Sequence, residues 1–442
     1  MVPSKPTDKR PLTERQDERR SGVRDEHRSG IAGFWRSLGP GIVSGAADDD
    51  PSGIATYSVA GAQFGLAFLW TALVTWPLMA AVQSMCARVG MVTGQGLMAA
   101  FRKTFPRPVL IVAAAALFIA NTINIGSDLA GMADAAEMLT GLSSHVWVVA
   151  FATIIGWATV HFRYEIIANT LKWLALVLFA YVLAAFTLHP AWREVLRATV
   201  IPSLPRAPGA WSTLVAILGT TISPYLFFWQ TSNEVEAEKS IGRRRVVDRQ
   251  GASRDEINIR NLDVGIGTFM SNVAMYFIIL TTALTLHAHG LTNPATSRDV
   301  ASALRPLAGS LATLLYTIGL IGTGTLAIPT LAGSAGYAFA ETFGWNQGID
   351  EKLKRAPAFY AAVLSAVGLG VLLDSANINV VQALYWTAVI NGVLAPFLLL
   401  GLLMVAADRT LMHGQPSSRL GIATVTIAMV IMFGAAIAMF TF

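Results

Sequence analysis

The chain has 442 residues, of which 54% are hydrophobic and only 13% charged, with a net charge of +5. Soluble domains carry about 25% charged residues, so the composition excludes a soluble fold and points to an all-α polytopic membrane protein. The basic excess is explained by loops between apolar spans rather than by nucleic-acid binding, and the single cysteine, Cys86, excludes both a disulfide framework and a Cys-rich metal site.

Residues 1–36 open the chain with a hydrophilic stretch of both charge signs and no apolar signal core, and read as a disordered cytoplasmic tail. The remainder, 37–442, reads as one transmembrane domain. Apolar segments of roughly 20 residues, the length needed to span a bilayer, follow near 39–64, 66–88, 108–138, 145–162, 166–188, 211–238, 262–286, 306–334, 357–374, 379–406 and 419–441, eleven in all. Basic residues collect in every second loop: Arg88, Arg102, Lys103 and Arg107, then Arg163, the run from Arg243 to Arg260, Lys352 to Arg355, and Arg409 with Arg419. This places the amino terminus inside and the carboxyl terminus outside, in a multi-pass protein of the plasma (inner) membrane.

The first segment, GPGIVSGAADDDPSGIATYSVAGAQFG over 39–65, holds Asp48, Asp49 and Asp50 at bilayer depth, followed at once by Pro51, Ser52 and Gly53. An ionisable group there costs roughly 2.5–3.5 kcal/mol on insertion scales, and three in a row exceed what one helix cap explains. Adjacent carboxylates resist simultaneous ionisation unless a cation joins them. Asp50 is the foremost candidate ligand, followed by Asp49 and then Asp48; the unwound carbonyls of Ala46 and Ala47 are free to join them. The alternative role for an Asp here is to cap the half-helix that begins after Pro51.

The sixth segment is interrupted too. It reads WSTLVAILGTTISPYLFFWQTSNEVEAEK over 211–239, with Pro224 in mid-span and the Thr220 carbonyl ahead of it. Interrupted helices five spans apart are the signature of inverted-repeat transporters. The repeats would cover about 39–189 and 211–407, with an added helix at 419–441. In the third segment Asn121, Asn124 and Asp128 share one face and form a polar stripe, read as cavity lining for Asp128 and as lining or interhelical bonding for the two amides. Asn272 and Asn391 read as interhelical bonding.

At this point the residues resemble a known family. The first segment is similar to the GPG…DPGN…GAQFG helix of NRAMP divalent-metal transporters. Ser127-Asp128-Leu129-Ala130 resembles that family's TDLAE, residues 219–230 its MPHNL segment, and GLIGTGTLAIPTLAGSAGYAFAETF (319–343) its eighth helix. The resemblance implies a LeuT-like five-plus-five inverted repeat with helices one and six broken, and a metal site built on Asp50. It also puts Gly53 in place of a coordinating Asn, Ser223 in place of a sulfur ligand, Tyr225 and Gln230 in place of histidines, Gly131 in place of a Glu, and Ala388 in place of a Gln. Losing the thioether leaves oxygen donors, which suit hard cations, as in the NRAMP-related magnesium transporter branch.

The expected metal set is Asp50, Asp49, Ala47, Gly53, Thr220, Ser223, Tyr225 and Asp128. The expected activity is carriage of Mg²⁺ and Mn²⁺ by alternating access with weak or no proton coupling, since all seven histidines lie in the tail, loops or span ends. A standard proton-coupled Mn²⁺/Fe²⁺ importer is the second reading. A sodium-coupled amino-acid symporter is a third, disfavoured because three aspartates would repel a substrate carboxylate. No HExxH, GxSxG or Walker-type motif suggests an enzyme, no cofactor is expected, and the partners are divalent ions and the lipid bilayer, with no obligatory protein partner. Glu234, Glu236 and Glu238 read as a solvated face opposite the Arg cluster.

Overall fold

The computed structural model describes residues 48–162, 176–374 and 379–441. The expectations for the tail, for the carbonyls of Ala46 and Ala47, for Arg163 and for the first part of the fifth segment lie outside these residues.

The helices that build the membrane domain are α1 (Pro51–Phe64), α2 (Trp70–Thr93), α3 (Arg107–Thr140), α4 (Ser144–His161), α5 (Ala180–Thr187), α6 (Ala210–Thr221), α7 (Pro224–Ser240), α8 (Arg254–Thr285), α9 (Ala312–Phe343), α10 (Pro357–Asp374), α11 (Val380–Ala407) and α12 (Arg419–Thr441). Short helices connect them, and among the described residues there is no strand. Nine helical stretches there are long and apolar enough to cross a membrane, the pair α6 and α7 counting as one. Helices α1 and α5 fall within the other two expected segments, both of which begin outside the described residues.

Local sequence sets the boundaries. Helix α8 begins earlier than hydropathy alone predicts because Ser253 and Glu256 form a capping box, each side chain bonding the other's backbone N–H. Helix α3 stops where Gly141 takes the left-handed conformation, φ 72°, that other residues adopt reluctantly. Helix α9 runs to Phe343, past the expected end, and carries the buried Glu341.

Helix α3 lies at the centre, against α4, α9, α10 and α11. The half-helix α1 lies on α8, and the half-helix α7 lies on α2, while α2 and α8 also touch. Helix α6 lies on α11 at very short range. A Cβ built on Gly219 would fall 2.1 Å from the Ala388 carbonyl oxygen and 2.3 Å from the Gly392 nitrogen, so only hydrogen fits at this crossing. Asn272 of α8 accepts from Thr75 Oγ1 of α2 at 2.7 Å and donates to its own helix at Thr268 (2.9 Å), which is the interhelical bonding expected of it.

Candidate metal site at the two helix breaks

Proline lacks an N–H and disfavours helical backbone in the residue before it. Pro77, Pro329 and Pro396 are nevertheless accommodated inside helices, whereas at two other positions the preference is realised. Asp50 (φ −66°, ψ 170°) precedes Pro51, and Ser223 (φ −74°, ψ 130°) precedes Pro224. Both residues are extended, and α1 and α7 start at the prolines. Helix α6 ends at Thr221, with Ile222 non-helical at φ −118°, ψ 59°.

Asp50 performs two jobs with one carboxylate. Its Oδ1 accepts from the Gly53 N–H and from Ser52 Oγ, both at 2.7 Å, which caps α1. Its Oδ2 accepts from Asn124 Nδ2 of α3 at 3.0 Å, and the same nitrogen donates to Asp128 Oδ2 at 3.0 Å. Two carboxylates facing one end of the amide identify that end as the NH₂, with one hydrogen for each. At its other end Asn124 Oδ1 accepts from Asn391 Nδ2 of α11 at 3.2 Å. Asn391, expected only to join helices, is thus part of this cluster. A Cβ on Gly53 would stand 3.0 Å from Thr220 Oγ1, 3.5 Å from Asp50 Oδ1 and 3.5 Å from the Tyr57 ring. Gly53 therefore marks where α1 and the end of α6 converge. Tyr57 is a member that sequence reasoning missed, although its spacing of four residues from Gly53 and seven from Asp50 puts it on their face.

Asp48 and Asp49 turn toward α8. Ser271 Oγ lies 2.9 Å from Asp48 Oδ2 and 3.0 Å from Asp49 Oδ1. One hydroxyl hydrogen cannot serve both oxygens at once. Asp48, Asp49, Asp50 and Asp128 are at most 5% exposed, and among the described residues no Lys or Arg pairs with any of them. Among the described residues Asp48 Oδ1 and Asn391 Oδ1 are buried without a hydrogen-bond partner. Uncompensated buried charge costs several kcal/mol per ion, so this oxygen-rich cluster suits a cation from outside. Among the described residues no three His, Cys, Asp or Glu side chains form a metal cage on their own. An ion here would complete its shell from amide, hydroxyl and backbone oxygens and from water, as hard cations do.

The other candidate residues are placed as follows. Ala47 lies outside the described residues. Ser223 Oγ lies 2.7 Å from the Thr220 carbonyl and 3.0 Å from the Gly219 carbonyl, so its one hydrogen is turned to α6. Tyr225 is buried, and its carbonyl accepts from Ser334 Oγ at 2.8 Å. Asn121 leaves the cluster and donates to the Leu331 carbonyl of α9 at 2.8 Å. Gly131 faces Leu384, whose Cδ1 would lie 3.1 Å from an added Cβ.

The solvated glutamate face is corrected. Glu234 is buried and paired with Arg260 at 2.8 Å, and Gln230 donates to it at 2.7 Å. Arg260 also holds Asp263 at 2.7 Å, and Glu238 lies 3.4 Å from Arg243. The Arg partners expected of this face are present, but they come from α8 and its approach and cover Glu234 and Glu238, whereas the half-buried Glu236 pairs with Lys239 at 2.8 Å. Arg249, just outside the spans, sits in the same region; burial holds its guanidinium below the ordinary arginine range, and it donates to the carbonyls of Gly94, Arg243 and Arg244.

Residues 41–441 match the family model described as natural resistance-associated macrophage protein-like. The divalent metal cation transporter MntH of Chromohalobacter salexigens is 26% identical over 431 residues, covering 93% of this chain and 94% of that one. MntH of Acidiphilium cryptum is 28% identical over 407 residues, covering 87% and 86%. Among solved structures, the Eremococcus coleocola manganese transporter, in complex with an aromatic bis-isothiourea substituted compound, superposes with a TM-score of 0.71 at 18% identity, covering 93% of this chain and 89% of that one. Mhp1, a nucleobase-cation-symport-1 family transporter, superposes with a TM-score of 0.54 at 15% identity, covering 91% and 92%. At these identities the structural likeness concerns the fold.

Proposed function

We propose that this chain, which belongs to the natural resistance-associated macrophage protein-like (Nramp) family, is a membrane carrier of divalent metal ions that moves Mg²⁺ and Mn²⁺ by alternating access with weak or no proton coupling. The observation that carries this reading is the cluster at Asp50, where two buried carboxylates share the Asn124 amide and no Lys or Arg among the described residues pairs with either. Relatives named as divalent metal cation transporters over most of both chains support the class of cargo. It is a carrier and not an enzyme: the aspartates serve as ligands.

The preference for Mg²⁺ alongside Mn²⁺ rests on the donor set. The side chains hydrogen-bonded around Asp50 are Ser52, Asn124, Asp128 and, through Asn124, Asn391, and none carries sulfur. Ser223 stands where the family resemblance places a thioether. Met79, which lines the cleft beside Ser223, has its sulfur committed to Asn272 Nδ2 at 3.3 Å. Mg²⁺ keeps its waters and prefers oxygen, whereas a thioether favours softer ions. Ser223→Met is therefore expected to shift competition in favour of Cd²⁺ over Mg²⁺ by about tenfold or more. Competition of Cd²⁺ and Mg²⁺ against Mn²⁺ uptake measures this, and an unchanged ratio would remove position 223 from the ion's surroundings.

Alternating access is supported by the exchange of partners, α1 on α8 and α7 on α2, which suits two inverted halves moving about a central site. Weak proton coupling is supported by the positions that would relay a proton: Gln230 bonds Glu234, and Gly131 faces leucine. The test is Mg²⁺ or Mn²⁺ uptake into proteoliposomes with pH and voltage set separately. Each charge moved is worth about 2.3 kcal/mol per 100 mV, so a divalent ion gains about 4.6 kcal/mol, enough for roughly 2,000-fold accumulation at equilibrium. Uptake is expected to follow an inside-negative potential without acidifying the lumen. Stoichiometric acidification, abolished by Asp128→Asn, would replace this reading with proton coupling.

A further inference from the structure

Gln83 lies at mid-length in α2 and is 2% exposed. Neither its amide oxygen nor its amide nitrogen has a hydrogen-bond partner among the described residues. The side chain lines a narrow cleft against the end of α6 and the start of α7, where Thr221, Ile222, Ser223 and Phe227 also lie. The cleft is too tight in this conformation to hold a water molecule. From there α2 continues along α7, the Thr231 hydroxyl donating to the Cys86 carbonyl at 3.2 Å.

A buried amide with every polar atom unpaired is destabilising, and an apolar residue of similar size would be neutral or better. Most of the cleft is in fact apolar: Met79, Val82, Ile222, Leu226 and Phe227. The amide therefore has no role in holding this conformation together. It stands beside Ser223 and the break that adjoins the Asp50 cluster, and any parting of α2 from α7 opens the cleft and gives the amide something to bond. On this basis, and resting on the divalent-ion reading above, we infer that Gln83 is a transient ligand for the hydrated cation. Its amide oxygen meets the ion or its water on the passage beside α7 when the carrier has left the closed state. The amide group is a suitable oxygen donor for a hard divalent ion. Gln83 thus tunes the rate of ion passage, whereas Asp50 holds the ion at the centre.

Gln83→Leu and Gln83→Glu in the full-length protein test this, with thermal unfolding in detergent without added metal and Mn²⁺ uptake into proteoliposomes as the two readouts. Gln83→Leu is expected to unfold at the wild-type temperature or higher, while its maximal uptake rate falls about tenfold or more. Gln83→Glu, which keeps an oxygen at the same reach, is expected to retain uptake with a lowered KM. A Gln83→Leu variant that transports at the wild-type rate would overturn the inference. So would one that unfolds at markedly lower temperature, because the amide would then be a structural partner. Absence of Mn²⁺ and Mg²⁺ uptake by the wild-type protein itself would instead sink the carrier reading, and this inference with it.

Discussion

Asp50→Asn and Asp50→Ala are both expected to bring divalent-ion uptake below about 1% of wild type, beyond the 10–100-fold typical of losing a group one shell from a metal. The two variants separate the residue's two roles. Oδ1 caps α1 through Gly53 and Ser52, while Oδ2 faces Asn124 and, through it, Asp128. Asparagine caps a helix about as well as aspartate, so Asp50→Asn keeps the cap and removes only the charge. Asp50→Ala loses the cap as well, at about 1 kcal/mol, and is expected to unfold a few degrees earlier. Uptake by proteoliposomes, with size-exclusion profiles to confirm folded protein, decides the matter. Wild-type-like uptake by Asp50→Asn would show that the carboxylate serves the helix and not an ion.

Gly219→Ala is expected to be among the most damaging single-methyl changes at the described glycines. The added carbon would lie 2.1 Å from the Ala388 carbonyl oxygen, 2.3 Å from the Gly392 nitrogen and 2.6 Å from the Gly392 Cα. All three are backbone atoms, so no side chain can turn aside, and α6 must retreat from α11. Overpacking typically costs 1–3 kcal/mol where side chains can adjust, and here the cost is expected to exceed about 3 kcal/mol. The shift would also move Thr220 away from Gly53 and spoil the site. Gly265→Ala is the control, because nothing lies within 4 Å of a Cβ there. In the interior of α8 it is expected to be neutral or to stabilise by up to about 1 kcal/mol. Thermal unfolding of both variants in one detergent checks the pair, and a Gly219→Ala protein as stable as wild type would mean that the crossing is looser than described.

What could be read from the chain itself follows rules that act over a few residues. Asp50-Pro51 and Ser223-Pro224 announce their breaks because proline biases its predecessor away from helix, although Pro77, Pro329 and Pro396 show that packing can keep a proline inside one. Asp128 and Asn124 were found because a polar stripe in an apolar helix has few bland explanations. Glu234 was misread for the opposite reason. Its partner Arg260 lies 26 residues on, and nothing near Glu234 announces that an arginine from the next helix will cover it. Asn391 and Asn272 look alike in sequence, each a lone mid-span amide, and only the packing of α11 on α3 and of α8 on α2 assigns one to the site and the other to a helix contact. Gly219 reads locally as a helix weakener, whereas its reason is a neighbouring backbone more than 160 residues away. Gln83, the one glutamine inside the second segment, carried a signal that went unused.

The shortness of α1 bears on biogenesis. Its 14 residues reach about 21 Å at 1.5 Å per residue, well short of the roughly 30 Å hydrocarbon layer. Its acidic start therefore cannot be shielded by the helix itself. Asp50 gains its Asn124 contact only 74 residues later, and Asp48 and Asp49 wait 223 and 222 residues for Ser271. During synthesis Asp48 and Asp49 therefore lack the hydroxyl they face in the folded chain until the seventh span has emerged. The carboxylate cluster is completed late, by the second half of the chain docking onto the first, so a nascent chain stalled before residue 271 is expected to leave this segment open to proteases or chaperones.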